Sequence, residues 1–556
     1  MSVQVQAPRP EDRYDEATIA DFRAQGHWRD DILNAYIDQW AAEGPDRVMV
    51  TDGYGFLTAA QLQSSAYRLA RAMKDLGVTA GDRVQVQLPN WSEFVIAYVA
   101  IARIGAVLVP TMPIYRHDEV GHVLKDSGAK VSIIPGEFRK FDYPAMLAEI
   151  RTSCPGLEHV ITVRSGPRAD MLRLEDLITG DDLPTTDELG TPPSADAPHC
   201  IIYTSGTESR PKGCLHTLNT LTYTVHALGG TVLGLGADDV MFMPSPVTHA
   251  TGLAMGVAAP LILGSGIHLM DAWEPKEGLR RIAEHGCTAS MTATPFVQMA
   301  LEALQESPQA AQQLTSMSRW LCAGAPIPET MLQRWSEHLP RCTLLPVYGR
   351  SEGLLVTACS IGDTADEILS SDGRPLPGVL LEIRAPDGSK APAGQEGEIC
   401  HGGPGLMLGY WNNPNLTDAA IDKRGISASG DLGRLDDAGY LRVTGRIKDL
   451  IIRGGTNISA AEVENHLITH PHIAMVAVVA APDARLGEKA CAFIVPRVHG
   501  QAPTLEELTT YLRDERRIAI QKLPEMLCVV DEIPMTASGK MQKFALRERA
   551  RQLAAD

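Results

Sequence analysis

The N-terminal part of the chain switches repeatedly between a helical and a strand-like spacing of apolar residues. The helical stretches are 62–76, 91–104 and 117–125, and short apolar runs at 84–88, 107–109 and 131–134 alternate with them. Gly77 and Gly105 follow the first two helical stretches, where a helix C-terminus favours glycine. Residues 60–135 therefore predict the order αβαβαβ, which is typical of a parallel sheet covered by helices. A similar alternation follows near 278–345, with a helix at 276–285 and a strand at 289–292.

The pattern changes beyond about residue 445. Ser459 with Glu462, and Thr504 with Glu507, have the spacing of two capping boxes and predict helices at 460–469 and 505–515. Short apolar runs at 473–479, 490–495 and 526–530 predict strands. We therefore expect an α/β fold with a large N-terminal part, residues 1–447, that contains several subdomains. A small α+β part, residues 448–556, would follow it.

Composition and charge narrow the class of protein. The chain has 556 residues, of which 44% are hydrophobic and 21% charged, as in ordinary folded proteins. Its net charge of −18 disfavours binding to nucleic acid or to an anionic membrane. The ten cysteines show no spacing typical of zinc sites or disulfide frameworks, and the first residues do not resemble a secretory signal. We expect a cytoplasmic protein without a membrane span.

One uncharged stretch is long enough to raise the question of a membrane span. Residues 240–270 contain no Asp, Glu, Lys or Arg, and about 20 apolar residues suffice to cross a bilayer. Several prolines, two histidines and four glycines interrupt the stretch, and its most apolar part, 258–263, is short. A buried strand–loop–helix region is the better prediction.

The segment 201–213 has the residues of a phosphate-binding loop. It reads Ile-Ile-Tyr-Thr-Ser-Gly-Thr-Glu-Ser-Arg-Pro-Lys-Gly, a strand-like start followed by small hydroxylated residues and a lysine. Hydroxyls and backbone N–H groups can surround phosphate oxygens, and Lys212 adds positive charge. The segment does not have the Walker A spacing, since Pro211 and Gly213 stand where that motif needs Gly and Ser or Thr. A surface turn is the alternative interpretation.

Four further segments carry polar residues suited to nucleotide chemistry. They are Val347-Tyr-Gly-Arg-Ser-Glu-Gly353, Ser429-Gly-Asp431, the stretch 440–462, and Pro534-Met-Thr-Ala-Ser-Gly-Lys540. Each is weak alone, because Ser-Gly-Asp is common in turns and a C-terminal lysine is usually solvated. In this order and spacing, together with 201–213, they resemble the adenylate-forming superfamily of acyl-CoA synthetases, luciferases and peptide-synthetase adenylation domains. The resemblance extends over about residues 30–545.

The resemblance implies a two-step reaction. A carboxylate attacks the α-phosphate of ATP to give acyl-AMP and pyrophosphate, and a thiol then displaces AMP. Because the first step brings an anion to a polyanion, it needs Mg²⁺, phosphate-binding groups and a mobile lysine. By resemblance the lysine is Lys540, Glu352 with Thr204 holds Mg²⁺, and His249 lies near the carboxylate of the acid. ATP and coenzyme A would be the co-substrates.

The resemblance also assigns the residues that would bind ATP or AMP. Lys212 and the loop residues before it would hold the β- and γ-phosphates, and Ser351 the α-phosphate. Asp431 and Arg446 would bind the ribose hydroxyls, and Tyr348 would stack on adenine. The full set is Thr204, Ser205, Gly206, Thr207, Lys212, Gly324, Ala325, Pro326, Tyr348, Gly349, Ser351, Asp431 and Arg446.

The sequence departs from the family pattern within the phosphate loop. The family usually has Thr-Gly where this chain has Glu208-Ser209. A carboxylate beside a triphosphate is unfavourable unless it points outward or lies near magnesium, so Thr204 to Thr207 are the stronger ligand predictions. Ser351 and Ser429 replace threonines that are commoner in the family, and both keep the hydroxyl.

The acid is predicted from the segment after Pro246. Amino-acid-activating members usually have an acidic residue there, whereas this chain has His249 and the hydroxyl of Thr251. This favours an acid without an α-amino group, the alternative being a purely structural histidine. The predicted acid pocket contains His249, Thr251 and Gly324, with apolar walls at 251–270 and 291–295. The runs QLPNWSEF (87–94), MPIYR (112–116) and LMDAW (269–273) resemble ligases for alicyclic, aromatic or medium-chain acids, such as cyclohexanecarboxylate–CoA ligase.

The acceptor and the hinge are predicted from the C-terminal part. Because 13 residues follow Lys543, we expect no fused carrier domain and take free coenzyme A as the acceptor, with Arg453, Gly454 and Gly455 near its pantetheine. Two alternatives are a stand-alone ligase that loads a carrier protein and a non-catalytic nucleotide sensor, which would not need Lys540. The resemblance places the hinge of a mobile C-terminal domain at Lys448. A homo-oligomer is compatible with the sequence.

Overall fold

The computed structural model describes residues 7–204, 210–324, 327–535 and 541–555. Within these ranges helices alternate with strands over most of the chain. The α-helices are Pro10–Arg13, Glu16–Ala24, Leu33–Glu43, Ala59–Asp75, Ser92–Arg103, His117–Ser127, Tyr143–Arg151, Leu174–Leu177, Thr186–Leu189, Leu218–Thr224, Ala259–Leu263, Pro275–Glu284, Thr294–Glu306, Pro308–Gln313, Glu329–His338, Ala365–Ser370, Pro414–Ala420, Ala460–Leu467, Leu505–Thr510 and Lys543–Ala555. π-Helical segments lie at Val225–Val232, Gly252–Ala258 and Tyr511–Glu515, and 3₁₀ turns at Ile447–Asp449 and Ile520–Lys522.

Two large sheets form the N-terminal part. In spatial order the first consists of Gly409–Tyr410, Gly213–Thr217, Pro198–Tyr203, Val107–Pro110, Arg83–Val86, Val131–Pro135, His159–Val163 and Leu172–Arg173. The second consists of Arg374–Pro375, Leu354–Ala358, Thr343–Arg350, Arg319–Ala323, Ala289–Ala293, Val240–Met243, Gly266–Leu269, Val48–Thr51 and Phe56–Thr58. The inner strands of both sheets run parallel, and antiparallel strands lie at the edges, as in Pro198–Tyr203 against Gly213–Thr217.

Two smaller sheets follow along the chain. An antiparallel sheet contains Leu380–Arg384, Gly397–Gly402, Ile426–Leu435 and Leu441–Arg446. The C-terminal sheet contains Thr456–Ser459, Leu450–Arg453, Gly487–Pro496 and Ile473–Asp483, with Met526–Val529 parallel to the third of these. A two-stranded hairpin, Glu137–Phe138 with Phe141–Asp142, completes the sheets of the described residues.

The main hydrophobic core lies between the two large sheets. It joins Val84 and Leu108 of the first sheet to Met241 and Leu345 of the second. The helix Ser92–Arg103 passes through this core and is buried at every residue from Phe94 onward, which explains why its sequence is apolar on all sides. The C-terminal part has cores of its own, built from strands and helices within residues 451–550.

The elements predicted from the spacing of apolar residues are confirmed. The helices and strands of residues 60–135 and 276–293 lie within a few residues of their predicted bounds, and the α/β class with a small C-terminal α+β part is correct. Thr504 and Glu507 form a complete capping box. Only one of the two hydrogen bonds of the other predicted capping box is present. Ser459 caps its helix, but the Glu462 carboxylate accepts hydrogen bonds from Lys522 at 2.7 Å instead of from the backbone of Ser459.

The uncharged stretch 240–270 folds as a buried strand, two helical segments and a second strand. The strands Val240–Met243 and Gly266–Leu269 pair in parallel within the second sheet. In the part of the chain that the structure describes, no helix combines the length and apolar character that crossing a membrane requires.

Candidate active site

The two ends of the predicted phosphate loop are held together. The strands Pro198–Tyr203 and Gly213–Thr217 pair directly. The Thr204 N–H donates to the Lys212 carbonyl at 2.9 Å, and the Lys212 N–H donates to Thr204 Oγ1 at 3.3 Å. A Cβ on Gly213 would lie 2.5 Å from the Ile201 side chain, so glycine is required there. Ser205, Gly206, Thr207, Glu208 and Ser209 lie outside the described residues.

Glu352 lies in a buried ionic cluster beside the loop. Its Oε1 forms an ion pair with Arg350 Nη2 at 2.9 Å and accepts a hydrogen bond from the Tyr410 hydroxyl at 2.7 Å. Burial raises the pKa of this carboxyl, but the Arg350 guanidinium and the Tyr410 hydroxyl outweigh that effect and hold the pKa at about 2. The Lys212 ammonium lies 5.7 Å from the centre of the Tyr410 ring. The structure thus brings together Glu352 and the lysine at the end of the loop.

Glu352 can hold a divalent cation in this arrangement. The Tyr410 hydroxyl donates to Oε1, and the closest approach of Arg350 is also to Oε1. Mg²⁺ is typically bound by one or two carboxylates together with phosphate oxygens of the substrate. No cluster of three or more His, Cys, Asp or Glu suited to a metal occurs among the described residues.

Ser351 is tied to the strand that follows the phosphate loop. Its carbonyl accepts a hydrogen bond from His216 Nε2 at 2.7 Å. Burial lowers the pKa of His216 to about 4, so this imidazole is neutral near pH 7 and its Nε2 carries the donated proton. Gly349 precedes this segment, and a Cβ there would lie 2.1 Å from the Leu354 carbonyl oxygen. The backbone of 349–351 therefore has little freedom.

The predicted ribose and adenine residues meet around one carboxylate. Asp431 accepts a hydrogen bond from Arg446 Nε at 2.7 Å and another from the Tyr348 hydroxyl at 2.8 Å. The two strands place Asp431 opposite Arg446 in register. The Asp431 charge raises the pKa of Arg446, whose side chain is 50% exposed, and burial raises that of Tyr348. Ser429 Oγ accepts from the Asp431 N–H at 2.9 Å and fixes the turn before it.

Arg350 links the phosphate and ribose regions. Its Nη1 donates to the Ala428 carbonyl at 3.1 Å, while its Nη2 contacts Glu352. Ala428 belongs to the same strand as Asp431. Arg350 thus connects Glu352 to the backbone of the strand that carries Asp431. Gly324 directly follows the strand Arg319–Ala323 and has φ of 91°. Ala325 and Pro326 lie outside the described residues.

Two of the three predicted acid-pocket residues, His249 and Thr251, lie just before a buried π-helical segment, whereas Gly324 follows the strand Arg319–Ala323. The His249 carbonyl accepts from the Leu253 N–H at 2.8 Å, and the Thr251 N–H donates to His249 Nδ1 at 3.4 Å. All residues of Gly252–Ala258 are buried. A Cβ on Gly256 would lie 2.5 Å from the Met243 side chain, so the segment packs closely on its neighbouring strand. π-Helical segments are frequent at functional sites.

The predicted hinge and acceptor loop lie next to each other along the chain. Lys448 is the central residue of the 3₁₀ turn Ile447–Asp449, directly after Arg446. Gly454 and Gly455 form the turn of the following hairpin with φ of 55° and 85°. Arg453 forms an ion pair with Glu525 at 2.9 Å. A glycine turn of this kind lets a ligand approach the backbone closely.

Lys540 lies outside the described residues, but the chain on both sides of it is fixed. Met535 and Met541 form a β-bridge, and the Gln542 N–H donates to the Pro534 carbonyl at 2.8 Å. The Lys543 ammonium then pairs with Glu464 at 2.8 Å. The described residues that flank positions 536–540 are therefore held close together.

Comparison with known proteins decides the family. The family model described as "AMP-binding enzyme" matches residues 37–411, and that described as "AMP-binding enzyme C-terminal domain" matches residues 462–540. The chain belongs to the AMP-binding enzyme family. It is thus an adenylate-forming enzyme that uses ATP, of the AMP-forming acid–thiol ligase type, as its motifs predict.

Similar proteins include ligases for more than one kind of acid. A medium-chain fatty-acid–CoA ligase of Escherichia coli (strain K12) is 36% identical over 537 residues, 96% of this chain and 93% of the relative. A salicyl-AMP ligase / salicyl-S-ArCP synthetase of Mycobacterium tuberculosis is 32% identical over 552 residues, 97% of this chain and 93% of the relative. The crystal structure of an anthranilate–CoA ligase in complex with anthranoyl-AMP has a TM-score of 0.84 and 26% identity, and covers 94% of this chain and 98% of that one.

Sequence reasoning missed three residues of this AMP-binding enzyme's site. Arg350 lies within one of the sequence motifs, but the sequence predicts no role for it. Tyr410 and His216 lie outside every motif. Each acts through a contact with a residue far away along the chain: Tyr410 with Glu352, and His216 with Ser351. The burial of His216 was foreseeable from the apolar run around it, but its partner was not.

Proposed function

We propose that this enzyme is an ATP- and Mg²⁺-dependent carboxylic acid–CoA ligase. The acid's carboxylate oxygen attacks the α-phosphorus of ATP and pyrophosphate leaves; the thiolate of coenzyme A then attacks the acyl carbon and AMP leaves with the bridging oxygen. The observation that carries the proposal is that Arg350 spans the two halves of the site. It pairs with Glu352 on the phosphate side and donates to the Ala428 carbonyl, on the strand whose Asp431 pairs with Arg446 on the ribose side.

The proposed roles follow from the contacts of these residues. Glu352, which is ionised near neutral pH, would hold Mg²⁺ with Thr204, and the ion would supply charge neutralisation for the phosphates. Asp431 and Arg446 would bind the ribose hydroxyls, with Tyr348 against adenine. Lys212, Ser351 and the hydroxyls of the phosphate loop would bind the phosphates. Lys540 would stabilise the charge that develops as carboxylate and α-phosphate approach each other.

The acid is proposed to be a medium-chain, alicyclic or aromatic carboxylic acid. The buried apolar segment Gly252–Ala258 supports an apolar acyl group, and His249 supports a carboxylate without a neighbouring ammonium. The names of the relatives, a medium-chain fatty-acid ligase and a salicyl ligase, support the same range. Each of these acids presents a carboxylate on an apolar body.

The C-terminal part, residues 448–556, is proposed to rotate between the two steps about Lys448. The 3₁₀ turn that contains Lys448 connects the last strand of the antiparallel sheet to the C-terminal sheet, which suits a hinge. One orientation would bring Lys540 to the α-phosphate. The other would bring the Arg453-Gly454-Gly455 turn to the site, where pantetheine would enter.

The test is a panel of carboxylic acids incubated with ATP and Mg²⁺, with and without coenzyme A, with products identified by mass spectrometry. The proposal predicts acyl-AMP without coenzyme A, and acyl-CoA with AMP when it is added. The second candidate, an aryl-AMP ligase that loads a carrier protein, is favoured by the salicyl-AMP ligase relative. It predicts acyl-AMP that coenzyme A does not consume but a phosphopantetheinylated carrier protein does.

A further inference from the structure

Three runs of sequence that have no assigned role in the reaction meet at one short segment. The runs are 87–94, 112–116 and 269–273, and the segment is 243–249, which we call the acid loop because it ends at His249. Met112 Sδ accepts a hydrogen bond from Thr248 Oγ1 at 3.3 Å, and the Met270 N–H donates to the Met243 carbonyl at 3.1 Å. The third contact is made by Asn90 and is the most extensive.

Asn90 makes three hydrogen bonds to the backbone of the acid loop. Its Nδ2 donates to the carbonyls of Met243 at 3.0 Å and of Ser245 at 2.8 Å, and its Oδ1 accepts from the Val247 N–H at 2.9 Å. The side chain is 4% exposed. A side-chain amide offers two donors and an acceptor in one plane. Asn90 can therefore form hydrogen bonds with backbone groups of Met243, Ser245 and Val247 at the same time.

The composition of the acid loop makes this support necessary. Pro244 and Pro246 have no N–H groups, so the loop has few donors with which to stabilise itself. The Ser245 hydroxyl donates a hydrogen bond to the Met291 carbonyl at 3.1 Å. Asn90 therefore supplies hydrogen bonds that the loop's own backbone cannot supply.

The position of Asn90 is itself fixed. It stands two residues before the helix Ser92–Arg103, which is buried in the main core. The adjoining Trp91 donates its indole N–H to Asp271 Oδ2 at 2.9 Å. Asn90 thus connects a rigid core helix to a proline-rich loop that leads to the acid pocket.

We propose that Asn90 is a positioning residue for acid recognition: it fixes the acid loop, and through the loop it places His249 and the start of the π-helical segment against the substrate carboxylate. The inference rests on the proposed function, in which His249 lies near that carboxylate. The nucleotide contacts belong to other elements, with Asp431 held by Tyr348 and Arg446, and Glu352 by Arg350 and Tyr410. Disturbing Asn90 should therefore affect the acid more than ATP.

The test compares Asn90→Asp with a matched control, Asn34→Asp. Asn34 is 2% exposed and donates to the Val99 carbonyl at 3.4 Å, on a helix of the same domain. Asn90→Asp keeps the acceptor for Val247 but removes at least one donor to the loop. Steady-state rates are measured against the concentration of the acid that the wild type uses best, and separately against ATP. Hydrogen exchange of a peptide covering 243–249 is measured in the same proteins without substrate.

We expect the KM for the acid to rise about tenfold to a hundredfold in Asn90→Asp while the KM for ATP stays within about twofold, since small displacements of a positioning group can cost up to about a hundredfold. The peptide 243–249 should exchange faster in this variant and at the wild-type rate in Asn34→Asp. Equal changes in both KM values, unchanged KM values, or wild-type exchange in the peptide would each overturn the inference. Should Asn90→Asp not fold, Asn90→Ser is measured by the same criteria. If the wild type activates no carboxylic acid, the proposed function fails, and the exchange result alone decides whether Asn90 fixes the loop.

Discussion

Two glutamates, a buried one in the N-terminal part and a partly buried one in the C-terminal part, each lie beside a cation, yet their pKa values shift in opposite directions. Glu352 in the N-terminal part contacts Arg350 and the Tyr410 hydroxyl, and its pKa falls to about 2. Glu464 in the C-terminal part contacts Lys543 at 2.8 Å and the Val478 N–H at 2.6 Å, yet burial raises its pKa because these partners do not outweigh the loss of water.

The difference distinguishes the carboxylate proposed to bind Mg²⁺ from one that holds two helices together. Glu352 stays ionised throughout the neutral range, as a magnesium ligand must. Glu464 joins the helix Ala460–Leu467 to the start of the helix Lys543–Ala555, just after the segment of Lys540. Arg547 of that second helix donates to Asp449 at 2.6 Å, beside the proposed hinge. We infer that the C-terminal part moves as one unit.

The largest effect on the reaction is expected from removing the Lys540 side chain. If it acts only in adenylation, Lys540→Ala should lower acyl-AMP formation by about 10²–10⁴, the cost of losing one charge-stabilising donor. Thioester formation from preformed acyl-AMP should largely survive. Single-turnover assays of the two half-reactions provide the measurement, and equal losses in both would remove the assignment.

The next largest effect is expected from a substitution at the proposed hinge residue, Lys448. Proline fixes φ near −65° and removes an N–H, so Lys448→Pro should hold the C-terminal part in one orientation. Acyl-AMP formation should remain mostly intact, and thioester formation should slow by about a hundredfold, a loss expected when a reacting group cannot reach its place. The matched control is Lys448→Ala, which leaves φ free. Wild-type rates for both half-reactions in the proline variant would place the hinge elsewhere.

Neutralising the N-terminal carboxylate should have a smaller and more specific effect. Glu352→Gln keeps the shape and removes the charge, so turnover at limiting Mg²⁺ should fall about tenfold to a hundredfold, with partial recovery at high Mg²⁺. Activity measured across a range of Mg²⁺ concentrations tests this. An unchanged magnesium dependence would contradict the proposed role of Glu352.

The same substitution in the C-terminal part, Glu464→Gln, should affect stability and not magnesium binding. We expect the free energy of unfolding near neutral pH to stay within about 1 kcal/mol of the wild type or to rise, because the lost hydrogen bond to a charged group is offset by relief of the buried charge. The magnesium dependence should equal that of the wild type. A shifted magnesium dependence in this variant would mean that the two carboxylates are not functionally distinct.

The two Glu→Gln variants should also differ in how pH changes the stability difference from the wild type. Since the pKa of Glu352 is lowered in the folded state, its contribution is present above its ordinary value near 4.5 and is lost as pH falls toward about 2. Since the pKa of Glu464 is raised, its contribution is largest below about 4.5 and declines as pH rises above that value. Urea unfolding of both variants between pH 3 and 7, about the accessible range for such measurements, should therefore give stability differences of opposite slope. Slopes of the same sign would refute the contrast.

Much of the fold follows from local patterns in the sequence. The apolar spacing predicts helices such as Ala59–Asp75, because burial of one face determines where a helix forms. The phosphate loop and the pair Asp431 and Arg446 stand in recognisable motifs. Their proximity, however, depends on strand register, which places Asp431 opposite Arg446.

The rest of the site depends on contacts between distant segments. Tyr410 reaches Glu352 across 58 positions, and Asn90 reaches Val247 across 157. No local propensity encodes such pairs, because each partner's role exists only after the sheets have assembled. For the runs that contain Asn90 and Met112 the sequence indicates only a family resemblance, because their contacts with the acid loop form between segments that are distant along the chain.

The central claim, that an acyl adenylate links acid to thioester, is tested most directly by oxygen transfer. The enzyme is incubated with a carboxylic acid labelled with ¹⁸O in both carboxylate oxygens, together with ATP, Mg²⁺ and coenzyme A, and the nucleotide product is analysed by mass spectrometry. Because the attacking carboxylate oxygen remains on the phosphorus when the thiol displaces AMP, each AMP should carry one ¹⁸O atom. Unlabelled AMP, or label found in phosphate with ADP as the nucleotide product, would contradict the account.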